Sequence, residues 1–164
     1  MLDSAVSGYR TCAFAFGQTG AGKTFTMFGA SPSKGLNHRD KQYVGMVNRS
    51  IEYLFIKLNE LNINNFSLKI SCLEIYQEHV YDLFAEEKER ISLPVREHMS
   101  EGFFLEGAKM IECSDYEMAT SLLEIAMRNR QVGGHELNSR SSRSHCLTDV
   151  FIELPASGRN DNLG

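Results

Sequence analysis

The sequence has little of several features that would each define a class of protein. It has no tryptophan, three prolines and four cysteines in 164 residues, and no apolar run approaches the ~20 residues of a transmembrane helix. Positive charge is not in excess, since 17 Lys and Arg stand against 21 Asp and Glu, for a formal net charge of −4. Neither a membrane span nor a dedicated nucleic-acid binder, which would usually be basic, is expected. The first ten residues also lack the charged-then-apolar layout of a signal peptide.

The cysteines are too far apart to form a disulfide or zinc framework. Cys12, Cys72, Cys113 and Cys146 form no C-x-x-C motif, and three of them fall in apolar runs, where a reduced cysteine behaves as a small buried hydrophobe. A reducing, cytosolic compartment is therefore predicted.

The composition is that of one globular domain, and the residue pattern predicts alternating strands and helices. Hydrophobic residues make up 42% and charged residues 23% of the chain, and no repeat or linker divides it. Apolar alternation or short apolar runs predict strands at residues 11–16, 66–76, 91–95, 102–112 and 146–154, with residues 66–76 buried on both faces. Helical spacing predicts helices over residues 47–61 and 119–127, the second opened by a capping box of Ser114 and Glu117 and ended by Gly133-Gly134. This order indicates an α/β fold.

Residues 17–24, GQTGAGKT, match G-x-x-x-x-G-K-[ST] at every fixed position. The glycines allow successive N–H groups to converge on phosphate oxygens, and a helix starting near Lys23 adds positive charge at its N-terminus. Lys23 can reach the β- and γ-phosphates, and the Thr24 hydroxyl can bind Mg²⁺. The predicted nucleotide-binding residues are Gly17, Gln18, Thr19, Gly20, Ala21, Gly22, Lys23, Thr24 and Phe25. Phe25 could equally belong to the core.

Residues 138–145, NSRSSRSH, match N-x-x-S-S-R-S-H and narrow the choice among P-loop NTPases. Together with GQTGAGKTFTM at 17–27 and LEIYQEHVYDLF at 73–84, they resemble a kinesin motor domain. In that family the Ser/Arg segment is called switch I. Short hydroxyl side chains on such a segment suit it to sense a γ-phosphate and to release after hydrolysis. By itself, SRSSRS would also fit a solvated Ser/Arg loop.

The resemblance implies a role for each switch I residue. Ser142 would contact Mg²⁺ and the γ-phosphate with assistance from Ser141, while Asn138 would orient phosphate or water. Arg143 would pair with a glutamate of switch II. The implied cofactors are therefore ATP and Mg²⁺, with Thr24 and Ser142 as the metal contacts.

The resemblance also implies a fold and a partner. The expected fold is that of a P-loop NTPase, three-layered with a mostly parallel central sheet. No stretch of residues 1–164 matches the family's D-x-x-G-x-E switch II, so we expect a partial motor domain that is inactive by itself. The implied partner is the microtubule, with weakened attachment. The turn at residues 96–102 resembles a tubulin-facing loop, and Arg96 and His98 are its cationic candidates.

Three functions are compatible with these sequence features. The leading one is ATP hydrolysis coupled to microtubule-based movement in the complete protein, at the cytoplasmic cytoskeleton. A different P-loop NTPase is disfavoured by the motif at 138–145. A truncated non-motor product that binds nucleotide or tubulin without productive hydrolysis is the alternative from another class. Oligomeric state, cargo and direction of travel are left open.

Overall fold

The computed structural model describes residues 1–30, 41–63, 65–100, 102–132 and 143–155. The chain forms two compact units, one from Met1–Phe66 with Ile152–Gly164 and the other from Ser67–Phe151. Among the helices in these described ranges, none is both long enough and apolar enough to cross a membrane.

The first unit contains the helices α1 (Leu2–Val6), α2 (Lys23–Phe28) and α3 (Met46–Glu60), with a 3₁₀ turn at Lys41–Tyr43 before α3. The apolar stripe of α3 is buried as its spacing predicts, since Ile51, Leu54, Phe55 and Leu58 are inaccessible to solvent or nearly so. The ring of Phe55 packs against that of Phe66 with centroids 5.8 Å apart. The predicted helix over residues 47–61 is thereby confirmed.

Two glycines bring the end of α2 next to the start of α3. Gly29 pairs with Val44 in an isolated antiparallel bridge, and the N–H of Ala30 donates to the carbonyl of Tyr43 at 2.9 Å. A Cβ atom on Gly45 would lie 2.3 Å from the backbone nitrogen of Gly29. No side chain fits between the two segments, so glycine is required there by close approach of the backbone.

The strand predicted over residues 11–16 is not formed. These residues have no regular secondary structure, and the Phe14 and Phe16 side chains are 83% and 94% exposed. A strand is stabilised by backbone hydrogen bonds to a neighbour, and none of the sheet pairings among the described residues includes this segment. The apolar run was correctly identified, but neither burial nor strand structure follows from it here.

The second unit is built on a five-stranded sheet. Its strands are β1 (Ser67–Tyr76), β2 (His79–Asp82), β3 (Ser92–Leu93), β6 (Ile111–Cys113) and β7 (His145–Glu153), the last of which continues beyond Phe151. The order is β3-β2-β1-β6, and β7 also pairs with β1. The middle of β1 is buried at consecutive positions, which confirms the prediction of a strand covered on both faces. Exposure alternates along β7, as its sequence pattern predicts.

The α/β class is confirmed, while three of the pairings in the described sheet run antiparallel. Each of β1–β2, β1–β6 and β2–β3 is antiparallel. The first of these is a tight hairpin, because Gln77 and Glu78 both have positive φ, 50° and 67°, which suits a two-residue turn between antiparallel strands. A connection of two residues cannot link parallel neighbours, which need a long crossover.

A separate two-stranded ribbon is formed by β4 (Val95–His98) and β5 (Gly102–Leu105). The predicted short strands over residues 91–95 and 102–112 are therefore divided among β3, β4, β5 and β6. All of β4 and most of β5 are exposed.

The helix α4 (Tyr116–Val132) is present as predicted, but its N-terminal cap differs from the predicted capping box. The Asp115 carboxylate accepts the backbone N–H of Met118 at 2.7 Å, while the Ser114 hydroxyl donates to Asp115 at 2.8 Å. Asp115 therefore caps the helix in place of Ser114. The aspartate side chain is preferred to the serine hydroxyl because its charged oxygen is the stronger acceptor for a free N–H group.

Candidate functional site

The backbone of residues 17–24 curls as a phosphate-binding loop requires. Gly20 and Gly22 both lie in the left-handed region, with φ of 84° and 83°, and Gly22 is the residue from which α2 starts. A Cβ atom at either position would meet nothing within 4 Å. Backbone conformation, and not space, is therefore what selects glycine at these two positions.

The Lys23 side chain folds back over this loop. Its ammonium group donates to the carbonyls of Gly17 and Gln18, at 2.8 Å each. Each of these carbonyls is a neutral acceptor, so the ammonium charge is not neutralised by them. The charge is thereby held beside the first residues of the loop, where an incoming phosphate oxygen would be a stronger, charged acceptor.

The start of α2 leaves donors available in the same place. The first α-helical hydrogen bond runs from the N–H of Thr26 to the carbonyl of Gly22 at 2.8 Å. The N–H groups of Lys23, Thr24 and Phe25 precede that bond, so the helix itself provides no acceptor for them. Thr24 is exposed and Phe25 is 50% exposed. The Thr24 hydroxyl is accessible to a metal ion, and the Phe25 ring is not part of the core.

Of the predicted switch I segment, residues 138–145, the structure describes only residues 143–145. Asn138, Ser141 and Ser142 lie outside the described residues. Arg143 is exposed, Ser144 is half-buried, and β7 begins at the next residue, His145. The phosphate loop belongs to the first unit and Arg143 to the second, so their predicted cooperation stays a prediction.

Comparison with known proteins identifies the family. The family description "Kinesin motor domain" matches residues 1–162, which is nearly the whole chain. The chain belongs to the kinesin motor domain family.

Relatives and solved structures agree with this assignment. The kinesin-like protein KIF15 of Rattus norvegicus is 37% identical over 158 residues, 93% of this chain and 11% of that protein. The kinesin-like protein KIN-7N of Arabidopsis thaliana is 35% identical over 153 residues, again 93% of this chain and 17% of that protein. A solved structure of a fast kinesin superposes with a TM-score of 0.81 at 31% identity, covering 92% of this chain and 41% of that one. The chain thus spans about a tenth to a sixth of the length of these curated relatives.

The segment predicted to face tubulin, residues 96–102, comprises most of β4 and continues to the start of β5. Of its two cationic candidates, Arg96 is already paired, since its Nε lies 2.9 Å from the Glu106 carboxylate. His98 shares a hydrogen bond of 3.1 Å with the Ser100 hydroxyl. Met99 at the tip is fully exposed. Both cationic candidates therefore already have a partner within or next to the ribbon.

One polar cluster of the second unit was not predicted as functional. Glu74 is fully buried in β1, and its carboxylate lies 3.6 Å from Nε of Arg130 near the end of α4. The guanidinium also reaches Ser144, the residue before β7. One feature of the sequence could have predicted this cluster. Glu74 lies inside the apolar run of β1, and a buried carboxylate requires a partner.

Proposed function

We propose that this chain is the nucleotide-binding part of a microtubule-dependent motor that hydrolyses ATP. The observation that supports the proposal most strongly is the phosphate loop, whose left-handed glycines, free helical N–H groups and inward Lys23 ammonium occur together. Membership of the kinesin motor domain family supports ATP as the nucleotide of this loop.

The residues present suit the binding of Mg²⁺-ATP. The N–H groups of residues 23–25 and the Lys23 ammonium would hold the phosphates, and the Phe25 ring is accessible to the nucleotide. Mg²⁺ is typically bound by phosphate oxygens, waters and few protein ligands, which matches a site that supplies the Thr24 hydroxyl. When bound, the metal would neutralise charge that develops on the phosphates.

The second half of the proposed site is switch I, residues 138–145. There Ser142 would contact Mg²⁺ and the γ-phosphate, Ser141 would assist and Asn138 would orient phosphate or water. Arg143 would lock the closed state through an ion pair. Residues 1–164 would in this proposal be a partial motor domain that contains two nucleotide-sensing elements and acts with microtubules at the cytoskeleton.

The phosphate loop is tested by Lys23→Ala. Loss of a charge-assisted contact to phosphate predicts a decrease in Mg²⁺-ATP affinity of at least about tenfold. The measurement is titration with a fluorescent ATP analogue. Lys88→Ala, which removes an exposed lysine of the other unit, is the matched control and should bind as tightly as the wild type. Unchanged affinity in Lys23→Ala would contradict the assignment.

Motor activity is tested by Arg143→Ala in the whole protein that contains this chain. The variant should still bind ATP, because Arg143 is not proposed to contact the nucleotide, but its microtubule-stimulated turnover should be lost. Stimulated turnover at the wild-type rate would refute the role of Arg143. Tight nucleotide binding by the wild type without any stimulated turnover would instead favour the non-motor alternative.

A further inference from the structure

The buried ion pair of the second unit joins three elements at one guanidinium. Glu74 is 0% exposed and Arg130 6% exposed, and Nε of Arg130 lies 3.6 Å from Oε1 of Glu74. Nη2 of the same guanidinium donates to the carbonyl of Ser144 at 3.3 Å and to its hydroxyl at 3.2 Å. One side chain of α4 thus links the middle of β1 to Ser144, the residue immediately before β7.

The base of this side chain is itself fixed. The side-chain amide of the neighbouring Asn129 donates to the carbonyl of Leu83 at 2.7 Å, and Arg90 donates to the carbonyl of Asn129 at 3.0 Å. The last turn of α4 is therefore tied to the segment that follows β2. A guanidinium mounted on a fixed helix end and directed by a buried carboxylate has little freedom to rotate.

From this arrangement we infer that Arg130 is a positioning residue for ATP hydrolysis. Oriented by Glu74, it fixes the position at which the chain leaves switch I and enters β7. Ser144 itself belongs to the motif at residues 138–145, so displacement of Ser144 changes the end of the segment to which the contacts with Mg²⁺ and the γ-phosphate are assigned. The inference rests on the proposed function, since it assigns a role relative to that site.

Arginine is suited to this role and lysine is not. The planar guanidinium offers several N–H donors in a fixed fork, so it can face Glu74 and Ser144 at once. A lysine ammonium is a point charge on a flexible chain, and it can neutralise Glu74 without reaching both oxygens of Ser144. Arg130→Lys should therefore keep the buried charge balance and lose the hold on Ser144.

The test compares Arg130→Lys with Arg128→Lys in the whole protein. Arg128 lies on the same helix but is exposed, so its variant controls for the loss of a guanidinium. For Arg130→Lys we expect microtubule-stimulated kcat to decrease between about tenfold and 100-fold, the range caused by small misplacements near a reacting group. The KM for ATP should change less than twofold or so, because the phosphate loop is intact.

Positioning is separated from a merely structural role by a double variant. Glu74→Met with Arg130→Met removes both buried charges, which often leaves stability unchanged or higher. We expect the double variant to unfold near the wild-type temperature and still to lack stimulated turnover, because nothing then holds Ser144. Amide hydrogen exchange should increase at residues 144–146 and stay unchanged at the β1–β2 hairpin.

The outcomes are distinguishable from failure of the proposed function. Wild-type protein that neither binds ATP nor hydrolyses it would overturn both proposals. If the wild type is active, normal kcat in Arg130→Lys, or recovery of kcat together with stability in the double variant, would overturn the positioning role alone. A fall in kcat at constant KM, with exchange confined to residues 144–146, supports it.

Discussion

At the scale of single residues, burial sets the chemistry of the cysteine thiols. Burial raises the pKa of Cys72 to about 12, and a weak contact with the Thr148 hydroxyl at 3.8 Å opposes this shift only in part. Burial also raises the pKa of Cys113 and of Cys146 to about 11. The thiolate is the reactive form of cysteine, so these three thiols are poor nucleophiles at neutral pH. Cys12, in contrast, is exposed.

We therefore predict that the native chain reacts with one equivalent of a thiol reagent near pH 8, at Cys12. The other three should react only as the pH rises toward their raised pKa values or after unfolding. Timed labelling with mass-spectrometric mapping measures this directly, and Cys12→Ser removes the fast phase as a control. Rapid native labelling of Cys72 would contradict the burial that the sheet imposes.

At the scale of elements, the start of α4 depends on an ionised cap. The hydrogen bond from the N–H of Met118, with a second from the Ser114 hydroxyl, holds the pKa of the Asp115 carboxyl below its ordinary value of 3.8. A carboxyl whose folded-state pKa is lowered contributes stability that is fully present above the unfolded pKa. That contribution is lost as the pH falls through the folded-state pKa.

Asp115→Asn should consequently lower the melting temperature at neutral pH, and the difference from wild type should shrink as the solution is acidified below about pH 4. Thermal unfolding followed by circular dichroism across this pH range gives the comparison. Glu117→Gln alters the residue that a capping box would use and should have little effect. A difference between wild type and Asp115→Asn that stays constant into acid would show that the charge of Asp115 is unimportant.

At the scale of the whole molecule, apolar side chains are displayed where a strand was expected. Phe14 and Phe16 are almost fully exposed, and Tyr9 in the same region is 71% exposed. Exposed aromatic residues that lie close together in the sequence favour association of one chain with another. We therefore expect the tendency of the 164-residue chain to self-associate to depend more on this segment than on the net charge of the chain.

Phe14→Ser with Phe16→Ser should reduce self-association of the chain at micromolar concentrations without lowering its melting temperature. Neither ring contributes to the buried core, so removing both costs little folding stability. Static light scattering and a thermal melt provide the two measurements. Ile91→Ser, which also replaces an exposed apolar side chain with serine but in the other unit, at a residue that is 71% exposed, serves as the control. Equal association of all three proteins would assign the effect to another surface.

Features governed by neighbours in the chain were predictable from the sequence. The helical stripe of α3, the burial of β1, the alternation along β7 and the glycines at 20 and 22 follow from spacing and from the conformations that each residue type allows. The three matching motifs were specific enough to indicate the family before any fold was known. The direction of each strand pairing was less predictable, because it depends on which segments meet: β1–β2, β1–β6 and β2–β3 are antiparallel.

The sequence by itself determined the type of site and most of the helices and strands. The phosphate-loop motif and the spacing of apolar residues in helices and strands both depend on residues that are close together in the chain. Only the tertiary structure decided that residues 11–16 stay exposed, that Asp115 and not Ser114 caps α4, and that Arg130 joins Glu74 to Ser144. The exposure and the Arg130 link depend on contacts between distant segments or on their absence. The cap depends on a choice between neighbouring side chains, settled by hydrogen-bond geometry that residue spacing leaves open.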